Sequence, residues 1–405
     1  MRSVSSHIRP LMARTSAWLL GAVASVLLFG SAPCSAADAA SGGAGAAPPA
    51  ASPPATPPPA ASPPAASPPA AAPPDASHAG GRELYARYCQ LCHAPDATGY
   101  AADEAPSLVS ATFLESASDA YIARGIRFGR PNTAMAAYGT ARGGPLDDRQ
   151  IDAIVSFLRT KGPQPAALPD FSPSGDAARG KALFVRDCQK CHGSAREPGK
   201  APQLMNPELL AAASPAFLRH AILKGRPPTR MPAFEKRLKA SEVADVVTFL
   251  MSTRTRAPSA TPVRAAPSDT GPVVIHPRGK APEFTLREER FVPAEQVAKA
   301  LAAKRKLIIV DARSPADWIQ FHIPGAISIP YYDTPQLDRI PNDGTWVVAY
   351  CACPHHASGE VVDALRRRGY PNTAVLDEGI LFWRRTGYPL QGEAITESEP
   401  SGAKR

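Results

Sequence analysis

Cys89-Gln90-Leu91-Cys92-His93 and Cys188-Gln189-Lys190-Cys191-His192 are two copies of one pattern, Cys-x-x-Cys-His. The spacing is that of a c-type haem attachment site. Two thiols add to the two vinyl groups of the porphyrin, and the adjacent histidine is held under the iron as its proximal ligand. One copy could be a chance match or half of a zinc site. Two copies inside two similar segments are much harder to explain in either way.

The similarity extends on both sides of each motif. Gly81-Arg82-Glu83-Leu84-Tyr85 stands in the same relation to Cys89 as Gly180-Lys181-Ala182-Leu183-Phe184 does to Cys188. Each suggests a helix leading into the motif, with Leu84 and Leu183 facing porphyrin or core. Downstream, Gly129-Arg130-Pro131-Asn132-Thr133-Ala134-Met135 matches Gly225-Arg226-Pro227-Pro228-Thr229-Arg230-Met231. Each copy ends in an amphipathic helix, marked by Leu146, Ile151, Ile154, Val155 and Leu158 in the first and Val243, Val246, Val247 and Leu250 in the second. Asp147 and Ser241 are the expected N-caps.

The two segments, about 79–161 and 174–253, resemble monohaem c-type cytochromes: a helix before the motif, a methionine in a proline-containing loop, and a closing amphipathic helix. The resemblance implies that Cys89 and Cys92 hold one haem c and Cys188 and Cys191 a second. It makes His93 and His192 the iron ligands. Met135 and Met231 are the expected sixth ligands. Met135 is the only Met or His between His93 and the end of its segment, whereas Met205 and His220 compete with Met231 and the repeated loop decides for it. A five-coordinate iron with an open position is the other reading, and it would mean ligand sensing or peroxide chemistry. His/Met ligation raises the potential and leaves little room for substrate, which favours electron transfer. Arg130 and Arg226 read equally as haem-propionate partners and as surface arginines.

The chain has 405 residues, enough for several cores, and its 46 prolines point to linkers. The net charge of +9 is scattered without a long basic run, which argues against nucleic acid and for a solvated surface facing acidic redox partners. Arg2, Arg9 and Arg14, the apolar run from Ala17 to Gly30, and Cys34-Ser35-Ala36 read as an export signal over 1–36. Left uncleaved, the signal would serve as a membrane tether; Pro33 ahead of Cys34 argues against lipidation. An Ala/Pro-rich spacer occupies 37–78, able to reach on the order of 100 Å at roughly 3 Å per residue. A second Pro-rich linker covers 254–282. Cys34 goes with the signal and four cysteines with the two motifs, so only Cys351 and Cys353 remain and no long-range disulfide framework is left to build.

Beyond the second linker the pattern changes. Leu307-Ile308-Ile309-Val310 and Trp346-Val347-Val348-Ala349-Tyr350 read as buried strands, and Val297–Ala303, Ser358–Arg368 and Ile380–Thr386 as helices, the mark of a parallel α/β domain over 283–395. Val310-Asp311-Ala312-Arg313, His322-Ile323-Pro324-Gly325-Ala326-Ile327-Ser328-Ile329-Pro330, Tyr350-Cys351 and Leu376-Asp377-Glu378-Gly379 make this domain similar to rhodanese. The resemblance implies that Cys351 is a sulfur-carrying nucleophile. A cysteine ending a strand and followed by a helix start sits among backbone N–H groups, which favours a thiolate and an anionic sulfur compound. The loop Cys351-Ala352-Cys353-Pro354-His355-His356 departs from the family, with His356 where active members carry Arg or Lys, so the resemblance stops short of thiosulfate:cyanide transfer. Cys353 supplies a second thiol that could resolve a persulfide. Cys351, Cys353, His355 and His356 also read as a Zn or Cu site.

The expected fold is thus two all-α cytochrome c domains followed by an α/β rhodanese-like domain with a parallel sheet. The expected protein is a dihaem electron carrier of the periplasm, working with a respiratory complex or terminal oxidase and coupling a small sulfur compound at Cys351 to haem reduction. Two alternatives stand beside it: a plain carrier whose rhodanese-like domain only docks a partner, and a redox or metal sensor at the Cys-x-Cys-Pro-His-His loop.

Overall fold

The computed structural model describes residues 78–102, 104–255, 272–352 and 355–394. The export signal and nearly all of the first spacer lie outside the described residues, as do the middle of the second linker, Cys353 and Pro354. No helix among the described residues is long and apolar enough to cross a membrane.

The first five helices are α1 (His78–Tyr88), α2 (Gln90–His93), α3 (Ala111–Leu114), α4 (Asp119–Phe128) and α5 (Asp148–Arg159). The next five repeat the order: α6 (Ala177–Asp187), α7 (Gln189–His192), α8 (Pro207–Ala212), α9 (Pro215–Lys224) and α10 (Ala240–Ser252). In each set the helix before the motif crosses the last helix at a glycine. A Cβ on Gly81 would lie 2.1 Å from the carbonyl oxygen of Ala153, and one on Gly180 would lie 2.0 Å from that of Asp245. Only a residue without a side chain lets these backbones approach so closely. Leu84 is fully buried at the first crossing, while Leu183 is half-buried at the second.

Asp147 caps α5 as expected, in a reciprocal capping box with Gln150. The expected Ser241 cap is corrected by the structure, since α10 already begins at Ala240. Glu242 reaches back to accept the backbone N–H of Lys239 at 2.8 Å, so the helix starts two residues earlier without a hydroxyl cap. The two helical sets share one apolar cluster, joined where Tyr121 meets Phe217 with ring centroids 4.6 Å apart. Glu208 of α8, fully buried, pairs with Arg124 at 2.7 Å and lies 3.7 Å from Arg142.

The remaining residues form a parallel sheet covered by helices. In chain order come β1 (Phe291–Val292), α11 (Ala294–Ala302), β2 (Ile308–Asp311), α12 (Pro315–Gln320), β3 (Ile327–Ser328), β4 (Val347–Tyr350), α13 (His356–Arg367), β5 (Thr373–Leu376) and α14 (Gly379–Arg385). The strand order is β1-β5-β4-β2-β3, every pair parallel. All residues of β2, β4 and β5 are buried, which is why they read as continuous apolar runs rather than alternating ones. Cys351 follows directly on β4 and so stands at the carboxyl edge of the sheet, where open α/β sheets place their ligands.

Candidate functional site

Each Cys-x-x-Cys-His motif is a single turn of helix entered through its first cysteine. Cys89 (φ −119°, ψ −35°) and Cys188 (φ −117°, ψ −40°) have the same backbone geometry. Their carbonyls accept the N–H groups of His93 and His192, both at 3.0 Å. Each turn therefore presents its two thiols and its histidine together. Both histidines are buried, 7% and 8% exposed. His93 Nδ1 donates to the carbonyl of Pro106 at 2.9 Å and His192 Nδ1 to that of Pro202 at 2.7 Å. These bonds fix the tautomer and leave Nε2 with its lone pair. Burial holds both imidazoles below their ordinary pKa, in the neutral form that can bind a metal.

The two methionine loops share one hydrogen-bonded frame. Gly129 and Gly225 both have φ +64°, and a Cβ on either would fall 2.6 Å from the carbonyl oxygen of Met135 or Met231. Arg130 N–H donates to Met135 O at 2.8 Å and Arg226 N–H to Met231 O at 3.0 Å. The Met135 and Met231 amides each donate to a threonine hydroxyl, Thr133 or Thr229, at 3.2 Å. The repeated Gly-Arg-Pro-x-Thr-x-Met thus encodes a shape that sets the methionine's position. His220, the rival of Met231, is paired instead with Glu115 of the first set at 3.1 Å. Met205 packs at the edge of the shared core.

Neither Arg130 nor Arg226 is an exposed surface residue. Arg226 donates from Nη1 to the carbonyl of Thr112 at 2.9 Å and lies over the ring of Phe217. Burial pushes its pKa down to about 10, and its Nη2 is buried with no hydrogen-bond partner among the described residues. An orphaned guanidinium nitrogen, two neutral imidazoles with free Nε2, and thiols on the same turn are a donor set that fits c-type haem with its carboxylate side chains.

At the sheet edge Cys351 is 1% exposed. Its Sγ lies 3.3 Å from the hydroxyl of Ser358 in the first turn of α13, and its carbonyl accepts the N–H of Ile380 at the start of α14. His355 (φ +91°) stands at the N-cap of α13. Its Nε2 meets Asp377 Oδ1 at 2.7 Å and its ring stacks on Phe291 at 4.0 Å. Burial and the neighbouring His356 hold it below its ordinary pKa. Asp377 also pairs with Arg287. Among the described residues, no group of three or more His, Cys, Asp or Glu is placed to hold a metal ion; Cys353 is outside that set. Beneath the site Arg313 pairs with Asp311 at 2.7 Å, and Tyr350 donates to the same carboxylate at 2.8 Å, fixing the ends of β2 and β4. Ser358 and Asp377 lie at this site by tertiary placement, Ser358 without any sequence signal and Asp377 within the Leu376-Asp377-Glu378-Gly379 stretch.

The sheet domain packs directly on the first helical set. Tyr331 Oη donates to the carbonyl of Tyr88, the residue before Cys89, at 2.8 Å. The Tyr332 ring lies 4.8 Å from Tyr88 and 6.4 Å from Tyr138. Farther along, Ser314 Oγ donates to the carbonyl of Ala137 at 3.1 Å, Arg384 Nη1 donates to Asn132 Oδ1 at 3.0 Å, and Ala134 packs against the sheet core. From the opposite side, Asn206 Nδ2 donates to Pro131 O at 3.0 Å.

The family model for the rhodanese-like domain matches residues 293–386, and that for cytochrome C oxidase, cbb3-type, subunit III matches 76–158 and 175–250. The chain is 28% identical over 190 residues to the cbb3-type cytochrome c oxidase subunit CcoP of Azospirillum sp. (strain B510), covering 42% of this chain and 60% of that one. It is 37% identical over 102 residues to a dihydro-heme d1 dehydrogenase of Pseudomonas aeruginosa, covering 25% of this chain and 20% of that one. It is 32% identical over 100 residues to a sulfurtransferase of Allochromatium vinosum, covering 24% of this chain and 92% of that one. The chain thus spans a fifth of the dehydrogenase and about three-fifths of the oxidase subunit, but nearly all of the sulfurtransferase.

Proposed function

We propose that this chain, with its tandem c-type cytochrome domains and C-terminal rhodanese-like domain, is a periplasmic dihaem electron-transfer protein that couples sulfur chemistry at Cys351 to haem reduction. In this reading Cys89, Cys92 and His93 hold one haem, and Cys188, Cys191 and His192 hold the other. Met135 and Met231 complete the irons, and the orphaned Arg226 nitrogen takes a propionate. When bound, the haems supply one-electron transfer at a potential raised by the thioether ligand. Export fits covalent haem attachment, and the oxidase-subunit relatives support a respiratory partner.

Cys351 takes the sulfur. At 1% exposure it admits only a small compound, and Ser358 is placed to hydrogen-bond the sulfur it carries. The thiolate can attack a sulfane sulfur, the leaving group departing with the bonding electrons and a persulfide remaining, a redox-neutral transfer that loads Cys351 but by itself sends no electron to a haem. Alternatively, joining HS⁻ to the Cys351 thiolate as a persulfide releases one proton and two electrons, a count that two one-electron centres accept.

The single observation that carries the coupling is the packing of Tyr331 and Tyr332 against Tyr88, next to the first haem motif. The sulfur site and a redox centre are thereby parts of one packed body. The test is anaerobic titration of the oxidised protein with sulfide, thiosulfate and a low-molecular-weight persulfide, followed by haem absorbance. Reduction that is lost or slowed at least tenfold in Cys351→Ser supports the reading. No reduction by any donor, or equal reduction in Cys351→Ser, sinks it.

One observation favours a second reading, a plain electron carrier with a docking domain. The loop from Cys351 to His356 contains no Arg or Lys to hold an anionic substrate. That reading predicts normal reduction by a quinol-oxidising complex and no response to any sulfur donor.

A further inference from the structure

The two cytochrome segments are built alike but covered differently. In the first, Tyr88 is 8% exposed under Tyr331 and Tyr332, and Ala136 and Ala137, just past Met135, are 7% and 2% exposed under Ser314. Their counterparts in the second segment are covered less. Asp187 stands in place of Tyr88 and is half-buried, and Pro232 and Ala233 are exposed. Cys92 is half-buried, whereas the equivalent Cys191 is exposed. Val185, in α6 three residues before Cys188, is 53% exposed, one of two large hydrophobic side chains so exposed among the described residues.

The charges differ in the same sense. Residues 79–161 carry nine basic and nine acidic side chains, a net of zero. Residues 174–253 carry thirteen basic and seven acidic ones, a net of +6. Lys181, Lys190, Arg196 and Lys200 of this excess are exposed along the motif and its flanks. Exposed basic side chains flanking an exposed apolar residue in this segment suit brief, electrostatically steered encounter with a partner of opposite sign.

We infer that the two redox centres have fixed, different roles. The first is an internal relay sealed beneath the rhodanese-like domain. The second is the outlet, where an acidic electron-transfer protein docks on the basic face around Cys191 and Val185. The inference rests on the dihaem part of the proposed function and not on the sulfur chemistry at Cys351.

The experiment reduces the full-length dihaem protein with dithionite, removes the excess, and mixes it with oxidised plastocyanin, a soluble acidic copper protein. Stopped-flow absorbance gives the second-order rate. Because dithionite supplies the electrons, failure of sulfur coupling leaves this test intact. Lys181→Glu/Arg196→Glu/Lys200→Glu should slow the reaction about tenfold or more at low ionic strength, with the difference shrinking as salt screens the charges. Arg82→Glu/Arg149→Glu, exposed residues of the first segment, should change it less than about twofold. Haem content and visible spectrum check each variant's integrity. The milder Lys181→Gln/Lys200→Gln should reproduce a smaller slowing if the triple variant fails to fold. An unchanged rate in the second-segment variants, or equal slowing by the first-segment pair, overturns the assignment.

Discussion

Replacing Gly180 by alanine sets two effects of opposite sign against each other. In a helix interior alanine is favoured over glycine by about 0.5–1 kcal/mol, so propensity alone predicts a more stable protein. The helix crossing predicts the reverse. The new Cβ would stand 2.0 Å from the carbonyl oxygen of Asp245, 2.5 Å from its carbon and 2.9 Å from Phe249 Cβ. Two of these atoms are backbone, so no side-chain rotation relieves the contact. To reach an ordinary separation α6 and α10 must part by about 1.4 Å, at an overpacking cost of about 1–3 kcal/mol. The parting also loosens Phe184 and Val246, each 1% exposed at the same crossing. The geometric cost wins, and a net loss of about 1–2 kcal/mol is expected. The assay is equilibrium urea unfolding of the holoprotein, read by haem absorbance and far-ultraviolet circular dichroism. Gly81→Ala is an internal replicate, its Cβ falling 2.1 Å from Ala153 O. A Gly180→Ala protein as stable as wild type, or more so, refutes the close crossing.

Glu208→Gln removes a buried charge from between Arg124 and Arg142, and the two cytochrome segments should lose about 3 kcal/mol of mutual stabilisation, visible as faster proteolysis between residues 162 and 174. Burial raises the Asp317 carboxyl to about 6, against an ordinary value of 3.8, despite the nearby Arg313. Its contribution to stability is therefore fully present below about pH 4 and lost as pH rises through 6, and Asp317→Asn should flatten the unfolding midpoint across that window by up to about 3 kcal/mol. Tyr331→Phe removes the hydrogen bond to Tyr88 O and should lower stability by about 1 kcal/mol while leaving haem content unchanged.

What could be read from the sequence was written locally. The haem motifs need five consecutive residues, and the Gly-Arg-Pro-x-Thr-x-Met loops hydrogen-bond within themselves, so both survive as strings. Strands β2 and β4 are buried on both faces and therefore appear as apolar runs. Strands β1 and β3, two residues each, are too short to leave a period. The cap of α10 leaves no local string, because Lys239 is a poor capping residue and the bond comes from Glu242, three residues on. Nothing local joins Tyr88 to Tyr331, 243 residues away, or Cys351 to Ser358 across the turn into α13. Those neighbours exist only after folding, and they are what turns a list of modules into a site.

The stretch Pro131–Met135 is gripped from both flanks, by Asn206 at Pro131 and by Arg384 at Asn132. For anyone dissecting this protein, that makes the customary cut points misleading. A fragment ending at residue 253 would strip the cover from Tyr88, Ala136 and Ala137 and release one side of a methionine-bearing stretch. In the dihaem reading proposed above, spectra and midpoint potentials measured on such a fragment would describe a first centre that has lost the protein packed on Tyr88 and Ala137 in the intact chain.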